Sequence, residues 1–158
     1  MNYRLHEWSM EGELPTLVGP EGEDWRVPVS ELESRQRELA NRLAREGHEA
    51  ALIQTPVDLY YYAGGRQNGS LLISATGEAR FFVRRSLSRA IYESGGSDSP
   101  HSVEKFPRMS TFTEDIGCKP SMQFGELPHG FATRFASKIG ATMDCTQIIH
   151  SQREVKSA

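Results

Sequence analysis

The five histidines (His6, His48, His101, His129 and His150) and two cysteines (Cys118 and Cys145) are the residues best suited to ligate a metal or act as nucleophiles. None of the histidines pairs with another histidine or a cysteine at ligand spacing. His6-Glu7 lacks the second histidine, four residues after the first, that a zinc-peptidase helix uses. A metal site built from this chain is therefore not expected. Ser86 and Ser88 stand beside arginines, but no G-x-S-x-G elbow surrounds any serine, so a hydrolase triad has no anchor. Gly64-Gly65-x-x-x-Gly69-Ser70 invites a phosphate-loop reading. However, no lysine follows Gly69, and the loop leads into a strand pattern instead of opening a helix. A turn is the better reading.

The wider segment Thr55–Ser70, TPVDLYYYAGGRQNGS, is more informative. Rings at the successive positions Tyr60, Tyr61 and Tyr62 cannot all face one core, so at least one should reach the surface or a partner. Glycines flank Arg66 on both sides. A planar guanidinium on a sharply turned loop suits bidentate recognition of a carboxylate, and a plain surface arginine is the competing reading.

Composition bounds the setting of these residues. A chain of 158 residues fits one domain that buries roughly 68–70% of its unfolded surface. Hydrophobic content of 37% and charged content of 25% fit a soluble globular protein. A formal charge of −3, from 18 basic and 21 acidic residues, gives no global case for nucleic acid. Most of the acids fall on the polar face of the first helix, where solvation explains them. No apolar run approaches the ~20 residues that cross a bilayer, and the opening MNYRLHEWSMEGELP lacks the apolar core of a secretory signal. Two cysteines are too few for a disulfide scaffold. They point to a reducing, cytoplasmic setting, with each thiol free and buried or half-buried.

The elements that must position these residues follow from periodicity. Residues 1–26 read as an irregular arm that Trp8 or Trp25 could anchor by packing, and Val27-Pro28 closes it. Ser30 with Glu33 forms a capping box in sequence. Leu32, Leu39 and Leu43 then predict a helix of about four turns, which Gly47 stops. Ala50–Gln54 reads as a buried strand, and Pro56 opens a helical turn through Tyr62. SLLISA (70–75) and ARFFVR (79–84) are predicted as strands joined by a tight turn at Thr76-Gly77-Glu78. A helix over Leu87–Glu93 follows, then weaker strands at 102–106 and 122–124, with 111–117 as a short helix or loop between them. The chain ends with a helix over His129–Ile139, carrying Phe131, Phe135 and Ile139 at spacings of four, and a tail. One hairpin among alternating units implies an α/β sandwich with a mixed sheet.

In this order the segments resemble the amino-terminal domain of the creatinase / prolidase / Xaa-Pro aminopeptidase family. The likeness covers about residues 27–158. It starts at Val27-Pro28 with Glu31 and Arg35, and continues through Gly47-His48-Glu49-Ala50-Ala51-Leu52-Ile53 and Tyr61-Tyr62-Ala63-Gly64. Leu71-Leu72-Ile73, Gly77-Glu78 and Phe82-Val83-Arg84-Arg85 are similar to its hairpin, followed by Arg89-Ala90 and Glu93-Ser94. Glu126-Leu127-Pro128 resembles the opening of its last helix. Asp144, Ile148, Ile149 and then Arg153-x-Val155-Lys156-Ser157 resemble the linker to its catalytic domain.

The resemblance implies a three-layer sandwich with a mixed central sheet flanked by helices, bearing a ribonuclease H-like motif, over residues 27–146, with a linker starting over 147–158. It implies a non-catalytic domain of a proline-directed metallopeptidase. The chemistry would belong to a C-terminal pita-bread domain outside this chain, holding two divalent ions (Mn, Co or Zn) through two aspartates, a histidine and two glutamates. No cofactor is expected in residues 1–158, which alone should be inactive. The implied partners are that C-terminal domain, a second copy in a homodimer and a proline-containing peptide, with no nucleic acid or membrane. The segment after Ala63-Gly64 would reach the partner's active-site mouth, making Arg66, Gln67 and Asn68 the expected substrate-binding residues. Gly65 stands where many members of the family have a bulkier residue. The alternative is a free-standing regulatory module that binds a small carboxylate or peptide through Arg66.

Overall fold

The computed structural model describes residues 17–154. Trp8, as a possible anchor of the arm, and Val155-Lys156-Ser157, at the end of the implied linker, lie outside the described residues.

Helix α1 spans Val29–Arg45 and buries Leu32, Gln36, Leu39, Ala40 and Leu43 along one stripe. Its start differs from the predicted capping box. Pro28 occupies the N-cap with φ −57° and no side-chain cap bond forms. The Pro28 carbonyl accepts from the Glu31 and Leu32 amides, so the proline's preset φ starts the helix and leaves Ser30 inside it. Five strands follow: β1 (Ala50–Ile53), β2 (Gly69–Ser74), β3 (Ala79–Val83), β4 (Ser102–Lys105) and β5 (Ser121–Met122). They interleave with α2 (Pro56–Ala63), α3 (Leu87–Glu93), α4 (Met109–Ile116), α5 (His129–Ile139) and α6 (Thr146–Glu154).

The sheet order is β4-β3-β2-β1-β5. The central strand β2 pairs antiparallel with both β1 and β3, with Leu52 opposite Leu72 and Leu71 opposite Phe81. Both edge strands add in parallel, β4 on β3 and β5 on β1. The mixed sheet expected from one hairpin among alternating units is therefore present.

Strand alternation sorts the core into two layers. Ala51, Ile53, Leu71, Ile73, Phe81 and Val83 face α1, α2, α3 and α6. Ala50, Leu52, Leu72 and Phe82 face α4 and α5, where Phe112, Phe135, Ile139 and Met122 complete the packing. The rings of Phe82, Phe106, Phe112 and Phe135 meet there edge-on or stacked, with centroids 4.7–6.4 Å apart. Phe131, read as part of the α5 stripe, is instead exposed, because Ala132 and Ala136 share the buried face with Phe135 and Ile139.

Two segments left weak or open by the sequence resolve here. Residues 111–116 fall in helix α4, and Gly117 caps its C-terminus. Strand β5 is only two residues long, because the carbonyl of Gln123 turns to accept from the Glu126 and Leu127 amides. The predicted tail contains a helix, α6. The Asp144 carboxylate accepts from both the amide and the hydroxyl of Thr146 to start it, and Ile148, Ile149 and Gln152 are buried against the body of the domain.

Candidate functional site

The loop Gly64–Asn68 leaves the C-terminus of α2 and enters β2. Gly64 caps the helix at φ +82°, and a Cβ there would stand 2.7 Å from the Glu93 carbonyl oxygen. A side chain is thus excluded by backbone conformation and by backbone contact at once. Gly65 lies flat on the Glu93 side chain, 3.0 Å from Oε1 to an added Cβ. Replacing Gly64 by Ala should cost about 1–2 kcal/mol, read as a lowered urea midpoint with unchanged slope.

The three residues named from sequence do not behave alike. Arg66 is exposed and makes no hydrogen bond or ion pair among the described residues. Gln67 turns inward, its Nε2 donating to Glu93 Oε1 at 2.7 Å. Asn68 is exposed, and its carbonyl accepts from the Arg84 amide. Gln67 therefore ties the loop down on α3, while Arg66 and Asn68 face outward.

A second set of bonds fixes the base of the loop. Gln36 Nε2 donates to the Tyr62 carbonyl at 2.8 Å and to His101 Nδ1 at 2.9 Å. His101 therefore carries its proton on Nε2, which donates to Ser94 Oγ, and the Ser94 hydroxyl donates to the Ala63 carbonyl. Burial pushes the His101 imidazole from 6.5 down to about 4, so this ring stays neutral in the folded protein. The tyrosine run divides as its geometry requires. Tyr62 is fully buried with its hydroxyl donating to Gln152 Oε1, Tyr61 lies under the Arg35 guanidinium at 4.3 Å, and Tyr60 is exposed.

Beside Asn68 lies an open groove of about 580 Å³, lined by Gln54–Asp58, Glu126–Pro128, Phe131 and Arg153. Its floor is polar and buried. Asp58 Oδ2 accepts from Thr55 Oγ1 at 2.5 Å and Gln123 Nε2 at 2.6 Å. Arg153 Nε stands 2.7 Å from Asp58 Oδ1, an ion pair that is not aligned as a hydrogen bond. Gln123 Oε1 accepts from the Gln54 and Thr55 amides, joining β5 to the turn before α2. Gln54 Nε2 donates to Ser70 Oγ, while Gln54 Oε1 is buried with no partner. Sequence reasoning named only Asn68 of this set. The others come from four separate segments, and the one local signal was Thr55-Pro56-x-Asp58 as a helix start.

Among the described residues, no three His, Cys, Asp or Glu side chains converge to hold a metal ion. The two-ion chemistry that the resemblance implies does not fit these residues. Cys145 is buried, with its thiol pushed up to about 12, and burial also raises Cys118, so neither is poised as a thiolate. No helix among the described residues is long and apolar enough to cross a membrane.

The sequence matches the Creatinase/Prolidase N-terminal domain family over residues 35–155. No curated protein matches it. Among solved structures, dipeptidase PepE from Mycobacterium ulcerans superposes with a TM-score of 0.70 at 19% identity, over 84% of this chain and 39% of that one. The prolidase from Pyrococcus horikoshii OT3 gives 0.59 at 23% identity, over 78% and 36%. The N-terminal domain of cytoplasmic peptidase PepQ from Mycobacterium tuberculosis H37Rv gives 0.61 at 18%, over 76% and 98%. The chain thus spans less than two fifths of the length of the first two proteins and nearly all of the third. At these identities the likeness is one of fold.

Proposed function

The chain belongs to the Creatinase/Prolidase N-terminal domain family, and from that premise we propose that it is the non-catalytic domain of a proline-directed metallopeptidase. Residues 27–146 form the domain proper, and 147–158 lead toward a C-terminal catalytic domain that carries the metals. The domain pairs with a second copy, in a cytoplasmic setting, and the Gly64–Asn68 loop shapes the partner's active-site mouth. Arg66 and Asn68 are the contacts to a proline-containing peptide, and Gln67 holds the loop in place.

The observation that carries this reading is the contrast within the loop. Its base is fixed by Gly64, Gln67, Ser94 and His101, yet Arg66 is presented outward without a partner among the described residues. A guanidinium held on a rigid base meets a carboxylate with little ordering cost. The test is the sequence encoded after Ala158 together with the activity of the full-length product. Two aspartates, a histidine and two glutamates should follow, and the product should hydrolyse an Xaa-Pro dipeptide. Arg66→Ala should raise KM several-fold, with stability within about 0.5 kcal/mol of the parent. Absence of those ligands would remove the peptidase assignment, and an unchanged KM would remove Arg66 from the site.

One observation favours a second reading, a regulatory module that binds a small carboxylate or peptide. Gln54 Oε1 is a buried acceptor without a partner, at a groove large enough for a small ligand. A melting shift of the 158-residue chain with millimolar dipeptide, lost in Gln54→Leu at the groove, would support it.

A further inference from the structure

On the α4–α5 layer, across the sheet from α2, three cations converge without a carboxylate. Arg84, Arg134 and Lys138 line a shallow pocket of about 230 Å³ whose remaining walls are Met109, Phe131 and Phe135. None of the three forms an ion pair among the described residues, whereas Arg26, Arg35, Arg37, Arg42, Arg45, Arg80 and Arg153 each have one. The arrangement is also set in advance. The Arg84 guanidinium stacks on the Phe106 ring at 4.0 Å. The Arg134 Nη1 lies back over Gly130, 3.3 Å from where a Cβ would be, which leaves space for the guanidinium beside the helix start. Phe131 stays exposed on the rim, 5.6 Å between centroids from Phe135.

We propose that this pocket docks an acidic peptide segment, placing a Glu or Asp carboxylate between Arg84, Arg134 and Lys138 and an apolar neighbour against Phe131. Charge complementarity selects the occupant. Three unpaired cations around an aromatic floor attract an anion that has an apolar body. The pocket holds one side chain rather than a run of phosphates, and the chain's net charge of −3 opposes a long polyanion. The site does not depend on a catalytic domain or on Arg66.

The experiment uses the 158-residue chain and fluorescence anisotropy of a labelled peptide alternating Glu and Leu. Its controls are the same peptide with Lys for Glu and a short single-stranded DNA. The acidic peptide should bind saturably, and more weakly as salt rises. Arg134→Glu and Lys138→Glu, both at exposed helix positions, should each weaken binding at least about tenfold. Arg37→Glu, on the far layer, should leave it unchanged. If a reversal prevents folding, Arg134→Gln and Lys138→Gln carry the same expectation at smaller size. No saturable binding, equal binding of the basic peptide, tighter binding of the DNA, or indifference to the substitutions would each overturn the proposal.

Discussion

Asp58→Ala should destabilise the domain by about 3 kcal/mol or more, the range for breaking a buried ion pair from one side. Asp58 is 1% exposed and meets Thr55 and Gln123 through one oxygen and Arg153 through the other. Its loss leaves the Arg153 guanidinium without a counter-charge and removes one of two acceptors for Gln123 Nε2, the other being Thr55 Oγ1 at 3.2 Å. The Arg153 side chain is 27% exposed and can recover some hydration, which places the effect at the low end of that range. In a chain of this length such a change lowers Tm by about 6–12 °C. Asp58→Asn keeps the shape and one acceptor and should fall between the two. The same substitution frees the first turn of α2, so proteolysis should begin near Thr55. A melting point within about 2 °C of the parent, roughly 1 kcal/mol or less, would show that the pair contributes nothing beyond its own desolvation.

The second large effect is a dependence on pH. His101 is held neutral in the fold with its pKa at about 4, against 6.5 when unfolded. Between those values the unfolded chain binds the proton and the folded chain does not. The stabilisation is therefore complete above pH 6.5, shrinks as pH falls, and is fully lost below about 4. The total is about 3 kcal/mol, of which about 1.4 kcal/mol is gone by pH 5.5. Urea unfolding of the parent and of His101→Gln at pH 7.5, 5.5 and 4.5 isolates this part from the carboxylates. The parent should be the more stable at pH 7.5, and the gap should close as pH falls. A gap independent of pH would mean that His101 titrates normally.

Much of the fold is legible in the sequence where burial follows period. Leu32, Leu39 and Leu43 mark α1, and the alternation across Leu71–Ile73 and Phe81–Val83 marks the hairpin. Misreadings occur where a polar residue is buried by a partner distant in sequence. Gln36, Asp58, Gln123 and Gln152 look like surface residues in any window, yet each is at most 4% exposed, and the partners lie 65 to 117 residues away for the bonds Gln36–His101, Asp58–Gln123 and Gln152–Arg35. Helix α6 is missed for this reason. Gln152 interrupts its apolar pattern, although the Asp144–Thr146 start was readable. Of the loop, flanking glycines made Arg66 and Asn68 visible. The inward turn of Gln67 needs Glu93, which only the packing of α3 supplies.

Helix α6 also bears on the order in which the molecule is made. Gln152 accepts from the Tyr62 hydroxyl and donates to the Arg35 carbonyl, and Arg153 neutralises Asp58. A chain growing from its N-terminus acquires these partners last. Until the ribosome has released Thr146–Glu154, α1 and α2 expose the face that Ile148 and Ile149 later cover, and Asp58 has no cation. The domain therefore closes only once α6 has emerged, and stalled chains that lack α6 should be the ones that chaperones hold.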